Sequence, residues 1–301
     1  MTSATATATA ATTRPLQMLN YANMLAFLLN CAITFGADTV LQLPNNAILS
    51  LKYQTLITPA PYAFAIWGII FTSQLVWTLA QFCVPRYRTN DWVVKGVGYN
   101  YVAACVAQCA WTFCFGYERM LLSLIAMLAI LLPLVRIVTT MRTLTTSTTR
   151  GQYWLFQFPF ELHAGWIMAA TLVNVNVVVV AAQAAADVQT WCGGVSLVVV
   201  LGVGLGYTLR TPQQLVIPCV LIWAAVAIGA ELTTPRDLIT TTFAASTIQH
   251  TRLAAKIIGT ILSCAVVINL FRTRVLKHQP GSSTNASEAN DRNGGSYSAL
   301  S

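Results

Sequence analysis

The hydrophobic positions of the chain fall into eight long runs, 18–36, 61–82, 96–115, 119–138, 159–183, 191–209, 213–231 and 253–271, separated by more polar stretches. A helix needs about 20 apolar residues to cross about 30 Å of hydrocarbon, so each run predicts one membrane span. Polar side chains within the runs repeat at helical spacing. At about 100° per residue, Asn20, Asn23, Phe27, Asn30 and Thr34 share one face of span 1. Phe64, Trp67, Phe71 and Gln74 share a face of span 2; Asn100, Ala104, Gln108, Trp111 and Phe115 share one in span 3. In span 5 the set is His163, Trp166, Ala170 and Asn174. Span 4, Leu121 to Val135, carries only Ser123 as a polar group and is expected to face lipid. Polar groups are costly in hydrocarbon, so the four amide- or imidazole-bearing faces are expected to turn toward the protein interior or a wet cavity.

Composition settles the class. The 301 residues are 56% hydrophobic and only 9% charged, against about 25% charged in an average soluble domain. A soluble enzyme, a disordered regulator and a secreted disulfide scaffold are excluded, leaving an all-α, polytopic transmembrane helix bundle. The net charge of +8 does not point to nucleic acid, because the basic residues lie between apolar runs without interleaved aromatics. With the N-terminus cytoplasmic, twelve Lys and Arg fall on the inner side and five on the outer, which predicts a multi-pass protein with both termini cytoplasmic. The eight cysteines include no CxxC pair and read as small buried hydrophobes.

The ends and connections add less. Residues 1–17 form a Thr/Ala-rich segment expected to be disordered; an organelle-targeting peptide would carry several arginines, and only Arg14 is present. Residues 273–301 are expected to form a disordered cytoplasmic tail, where the sequon at Asn285 would go unused. The Thr/Ser-rich stretch 232–252 is too polar to span, and predicts a surface helix running into span 8 or a re-entrant segment. Gly202 and Gly206 in span 6 suggest a close helix–helix contact.

Taken one at a time, intramembrane amides are more often interhelical ties, contributing on the order of 0.6–2 kcal/mol. Taken together with large aromatics, they suit a pocket for a flat, mostly apolar ligand with a few polar edges. Glu161 is expected in the cytoplasmic headgroup layer, while His163 is either a donor at the pocket rim or an interfacial residue. Trp92, Trp154 and Trp191 lie near span ends and read as belt anchors. Trp77 and Trp223 fit either packing or the belt. Nothing resembles a nucleophile–base grouping or a Walker motif. The chain is therefore expected not to be an enzyme, and no metal or required cofactor is implied.

Three segments carry a family resemblance. Ile57-Thr58-Pro59-Ala60-Pro61-Tyr62-Ala63-Phe64-Ala65-Ile66-Trp67-Gly68, continuing to Phe71, is similar to the signature opening the second helix of TspO/MBR proteins, the tryptophan-rich sensory or translocator proteins. Gln108-x-x-Trp111 with Phe115-Gly116 resembles the family's third-helix motif, and Trp166-x-x-x-Ala170-Thr171-x-x-Asn174 its fifth-helix motif. The sequence departs from the pattern in lacking the Pro before the helix-two Trp and in a one-residue shorter aromatic-to-Trp spacing. Gln108 stands for the usual Asn and Phe71 for the usual Tyr.

The resemblance covers about 18–183. It implies a five-helix core over 18–185, to which 186–272 would add a three-helix extension, and a loop at 37–60 that lids a pocket. It further implies a tetrapyrrole, sterol or benzodiazepine-like ligand in the bundle, and a homodimer. On this reading Trp67, Trp111 and Trp166 stack on a flat hydrophobic ligand held by spans 1, 2, 3 and 5. Asn30, Asn100, Gln108, His163 and Asn174 would meet its polar edges, with Tyr62, Phe64 and Phe71 shaping the mouth. The protein would bind, sense or transport that ligand within membrane lipid. The alternatives are a secondary transporter of a small polar solute and a signalling scaffold without ligand.

Overall fold

The computed structural model describes residues 14–40, 42–44, 46–144, 149–210 and 214–278. Eight long helices account for the eight apolar runs: α1 Met18–Val40, α2 Ile66–Cys83, α3 Asn100–Gly116, α4 Met120–Leu144, α5 Phe158–Ala181, α6 Ala186–Leu209, α7 Val216–Glu231 and α8 Ala245–His278. Among the described residues there is no strand. Six of these helices, with the turn Pro61–Ala65 joined to α2 and Arg150–Gln157 joined to α5, are long and apolar enough to cross a membrane. The other two are shorter. At 1.5 Å per residue, α3 and α7 extend only about 25 Å.

Helices α1 to α5 form a closed ring: α1 packs on α2 and α3, α3 on α4, α4 on α5, and α5 returns to α2. Helices α6 and α7 both pack on α5 and on each other, and α8 lies against α6 and α7. Helix α5 is thus common to the ring and to the C-terminal trio, and every residue from Pro159 to Ile167 is buried. Lipid tails are as apolar as leucine, so helix association here depends on close packing and interhelical hydrogen bonds. Gly165 shows the packing limit: a Cβ there would stand 3.0 Å from Val220 Cβ and 3.3 Å from Ile217 Cα. In α6 the close approach falls at Gly204, where a Cβ would meet Leu262 at 2.6 Å, whereas Gly202 and Gly206 face open space. The expected small-residue face is therefore displaced to the middle glycine of the triplet.

Helix α4 is not simply lipid-facing. Ile130, Leu134 and Ile137 are fully buried between α3 and α5, while Leu121, Leu122, Ile125 and Leu132 point outward. Its inward face is apolar and so leaves no polar periodicity in the sequence. The polar stretch 232–252 holds a short helix, Asp237–Thr242, with Thr240 and Thr241 exposed, before α8 begins at Ala245. This is the surface arrangement, and 245–252 belong to α8. That helix also runs past residue 272 to His278. At the other end, Arg14 donates to Thr89 Oγ1 at 2.8 Å and its carbonyl accepts from Arg88 at 2.7 Å, so residues from 14 onward are held. The readings on 1–13 and 279–301 lie outside the described residues.

All eight cysteines are free; Cys105 and Cys109 are buried, but Cys83, Cys219 and Cys264 are exposed on the helix surfaces. Trp154 and Trp191 are exposed. Trp92 instead stacks on Phe156, and Trp77 is fully buried between Tyr101 and Phe160.

Candidate functional site

A cavity of about 330 Å³ lies at the end of the bundle where the 46–60 segment crosses. Its walls come from α3 (Trp111, Phe115), α4 (Met127), α5 (Trp166 to Val177), α6 (Ser196, Leu197, Val200) and α7 (Ala224, Ile228, Glu231). Phe64 and Trp67 enter from the start of α2, and Asn46, Ser50 and Gln54 from the crossing segment. The aromatic wall is internally braced. Trp67 meets Trp166 edge-on with centroids 6.3 Å apart, Phe64 meets Trp166 at 5.7 Å, and Trp111 stacks on Phe115 at 5.1 Å. Such offset and edge-to-face pairs hold each ring's orientation.

The crossing segment is fastened as a lid. It contains the short helix Asn46–Lys52, whose Leu49 is buried. Lys52 Nζ and Tyr53 OH both donate to Glu118 Oε2 in the α3–α4 turn. These hydrogen bonds hold the Glu118 carboxyl below its usual range and raise the Lys52 ammonium and the Tyr53 phenol above theirs. On the α7 side, Gln54 Nε2 donates to Glu231 Oε1 at 2.9 Å, and Arg236 Nε donates to the same oxygen at 3.0 Å. Further along, the Ala60 N–H reaches the Ala227 carbonyl at 3.1 Å.

Five of the residues named from sequence line this cavity: Phe64, Trp67, Trp111, Trp166 and Asn174. Asn174 is tied to Ser123 of α4, with Nδ2 to Oγ at 3.1 Å. The other six lie elsewhere. Tyr62 is exposed and packs edge-on against Trp223 at 5.2 Å, whose indole N–H donates to the Ala63 carbonyl. Phe71 is buried behind Trp67, among Phe27 and Phe35. Asn100 bonds the Val97 carbonyl at the start of α3, close behind the turn that Gly98 makes at φ +52°. Gln108 and Asn30 are buried, and Asn30 accepts from Thr34. His163 is buried against Gln74, with Nδ1 2.8 Å from Nε2.

The inward face of α1 meets the far end of α2. Asn20 and Asn23 both donate to Gln81 Oε1, at 3.4 and 3.1 Å, and Gln74 accepts from Tyr101 OH at 3.2 Å. This cavity is walled by α3, α4, α5, α6 and α7 with the first turn of α2, and α1, expected to help enclose the site, does not line it. Glu161 is another correction: it is 2% exposed and accepts from Tyr153 OH at 3.0 Å. The π-helical turn Tyr153–Gln157 precedes α5 and brings Tyr153 onto it, so the carboxyl is enclosed by protein and not solvated.

Gln54, Glu231 and Arg236, which sequence reasoning did not single out, supply the polar end of the cavity. Their one signal was Glu231, an acid closing an apolar run in a chain with only nine acidic residues. Among the described residues no cluster of three His, Cys, Asp or Glu could hold a metal ion.

A family model described as TSPO-like protein matches residues 20–267, so the match takes in the three C-terminal helices as well as the ring. Neither curated proteins nor solved structures provide a match.

Proposed function

From the premise that the chain belongs to the TSPO-like protein family, and is an integral multi-pass membrane protein, we propose that it binds, senses or transports a flat hydrophobic ligand of the tetrapyrrole or sterol class. The single observation that carries this reading is the cavity into which Trp67, Trp111 and Trp166 all face as lining residues. Its volume of about 330 Å³ falls within the range of small-molecule sites, about 300–1,000 Å³. Rigid indoles on several walls grip a flat apolar body at low entropic cost. The segment tied to Glu118 and Glu231 borders the cavity and would have to move with a ligand's entry or release.

Titration of purified protein in mild detergent with protoporphyrin IX and with dehydroergosterol, both of which take energy from tryptophan, tests the proposal. At least one probe should quench the intrinsic fluorescence saturably, and Trp67→Ala and Trp111→Ala should each weaken its binding. Equal quenching in both variants and the wild type would sink the reading. The polar-solute carrier draws less support, since Asn20, Asn23, Gln74 and Gln81 are engaged with partners inside the bundle.

A further inference from the structure

Two acidic side chains are buried among the described residues, Glu231 at 9% exposure and Glu161 at 2%, and they are held differently. Glu231 is paired with the Arg236 guanidinium at 3.0 Å. Glu161 takes part in none of the ion pairs of the described residues. Its Oε2 accepts from the Tyr153 hydroxyl at 3.0 Å, and its Oε1 has no partner. The other side chain against it is the amide of Gln214, itself 3% exposed. Gln214 Nε2 donates to the Val138 carbonyl of α4 at 3.1 Å, and Gln214 Oε1 also lacks a donor.

Both groups in contact with the Glu161 carboxyl are therefore neutral. The charged and titratable groups of the elements around it are engaged elsewhere. Arg210 lies over the Tyr207 ring of α6 at 4.7 Å, and Arg142 at the end of α4 acts on the same phenol. Cys219 of α7 interacts with Tyr153, and His163, two residues on, is turned to Gln74 of α2. An ion buried without a counter-charge is strongly disfavoured, and such a group sheds its charge by taking a proton. Neither unpartnered oxygen has accessible surface to offer a water or a metal ion. A proton needs none, because it occupies a hydrogen bond.

We propose that Glu161 is a proton-binding site, loaded from the aqueous phase at the end of the bundle where α4 and α6 finish, and that its loading governs the docking of Gln214, just ahead of α7, onto α4 and α5. On loading, a hydronium ion gives its proton to Oε1, an O–H bond forms and water is released; unloading returns the proton to the same phase. The loaded carboxyl is neutral and supplies the donor that the cluster lacks, so Gln214 can lie closed over it. The ionised carboxyl gains by meeting water, which requires Gln214 to leave. Tyr153 steadies the ionised form, so the site gives up its proton as well as taking it. This inference does not draw on the cavity, whose lining on α5 begins at Trp166.

The test reads the carbonyl stretch of a protonated carboxyl by infrared spectroscopy of the full-length protein in detergent. At about pH 6 exposed Asp and Glu are ionised, so an acid band there reports a buried group. The wild type should show such a band, shifted in D2O and lost by about pH 9. Glu161→Gln, an uncharged stand-in for the loaded form, should lack it, and Glu231→Gln should keep it. Tyr153→Phe frees the acid's carbonyl oxygen and should move the band to higher frequency, which assigns it even where Glu161→Gln does not fold. Deuterium uptake at residues 214–219, corrected for the intrinsic effect of pH on exchange, should rise in the wild type as the band is lost and stay level in Glu161→Gln. No acid band in the wild type, a band that survives in Glu161→Gln, or one unmoved by Tyr153→Phe overturns the proton site. Loss of the band with level uptake, or the same rise in the variant, overturns its hold on Gln214.

Discussion

Gln74 Nε2 stands 2.8 Å from His163 Nδ1, and the same amide accepts from Tyr101 OH at 3.2 Å. The amide is committed at both ends, which places the imidazole proton on Nε2, away from Gln74. Trp67 covers the ring edge-on at 5.8 Å. Neither Gln74 nor His163 lines the cavity, so this trio ties α2, α3 and α5 together behind the aromatic wall.

Replacing Gln74 by leucine would strand His163 Nδ1 in the buried interior, whereas Tyr101 OH keeps Thr78 and Cys105 as neighbours. A cost of about 1–3 kcal/mol per stranded group is expected, seen as a lower unfolding temperature in detergent. Probe affinity measured below that temperature should stay within about twofold, as befits a group that does not touch the ligand. Lost binding with an unchanged melting profile would instead assign the trio to the site.

The lid fastening has a defined pH window. Glu118 is held below its ordinary value by Lys52 and Tyr53, so its contribution is complete above the unfolded carboxyl value, about 4.3, and disappears as pH falls through the depressed folded value. Lys52 and Tyr53 are raised. The ammonium's contribution is therefore complete below its unfolded value of about 10.4 and is lost as pH rises through the folded one, while Tyr53 keeps its donating proton beyond the usual phenol range. Release of a bound sterol, followed by stopped flow, should be flat from about pH 5 to 9 and accelerate below about 4. Glu118→Gln should already release faster at pH 7 and lose the acid limb. An identical acid limb in that variant would mean that another group opens the lid.

Gly165 and Gly204 mark two kinds of contact. A methyl at Gly165 would press on the α7 backbone at Ile217, which cannot rotate away, whereas at Gly204 it would press on the end of the Leu262 side chain. Gly165→Ala is expected to cost about 1–3 kcal/mol, the usual penalty of overpacking, and Gly204→Ala less, because Leu262 can change rotamer. Thermal unfolding of the two variants side by side checks the order. Equal losses would show that the α6–α8 contact is as rigid as α5–α7.

Tyr153→Phe removes the hydroxyl that caps Glu161, whose Oε1 already lacks a partner. A destabilisation of about 1–3 kcal/mol is expected, and Glu161→Gln combined with it should recover part of the loss. A double variant no more stable than Tyr153→Phe alone would show that the carboxyl's charge is not what the hydroxyl relieves.

Which residues face inward was legible in the sequence, because helical periodicity reports direction. Asn20, Asn23, Asn30, Gln74, Gln108, His163, Trp166 and Asn174 are all buried. What they meet was not legible, because periodicity along one helix says nothing about its neighbour. The α1 amides find Gln81, a residue outside the recognised stripe, and the cavity opens on the other side of α5. Apolar faces were harder still. In lipid an isoleucine can face either way, so Ile130 and Leu134 of α4 gave no sign of burial. The burial of Glu161 was not legible because a π-helical turn, which local pattern does not reveal, brings Tyr153 onto it.

Helix α5 serves both the ring and the C-terminal trio, and this imposes an order on biogenesis. When the ribosome has made the first five helices, the cavity has an aromatic wall but lacks the sides that Ser196, Leu197, Val200, Ala224 and Ile228 provide. The Gly165 face of α5 is likewise still open to lipid or to the insertion machinery. The described lining of the cavity is complete only once translation has passed Glu231 and Arg236.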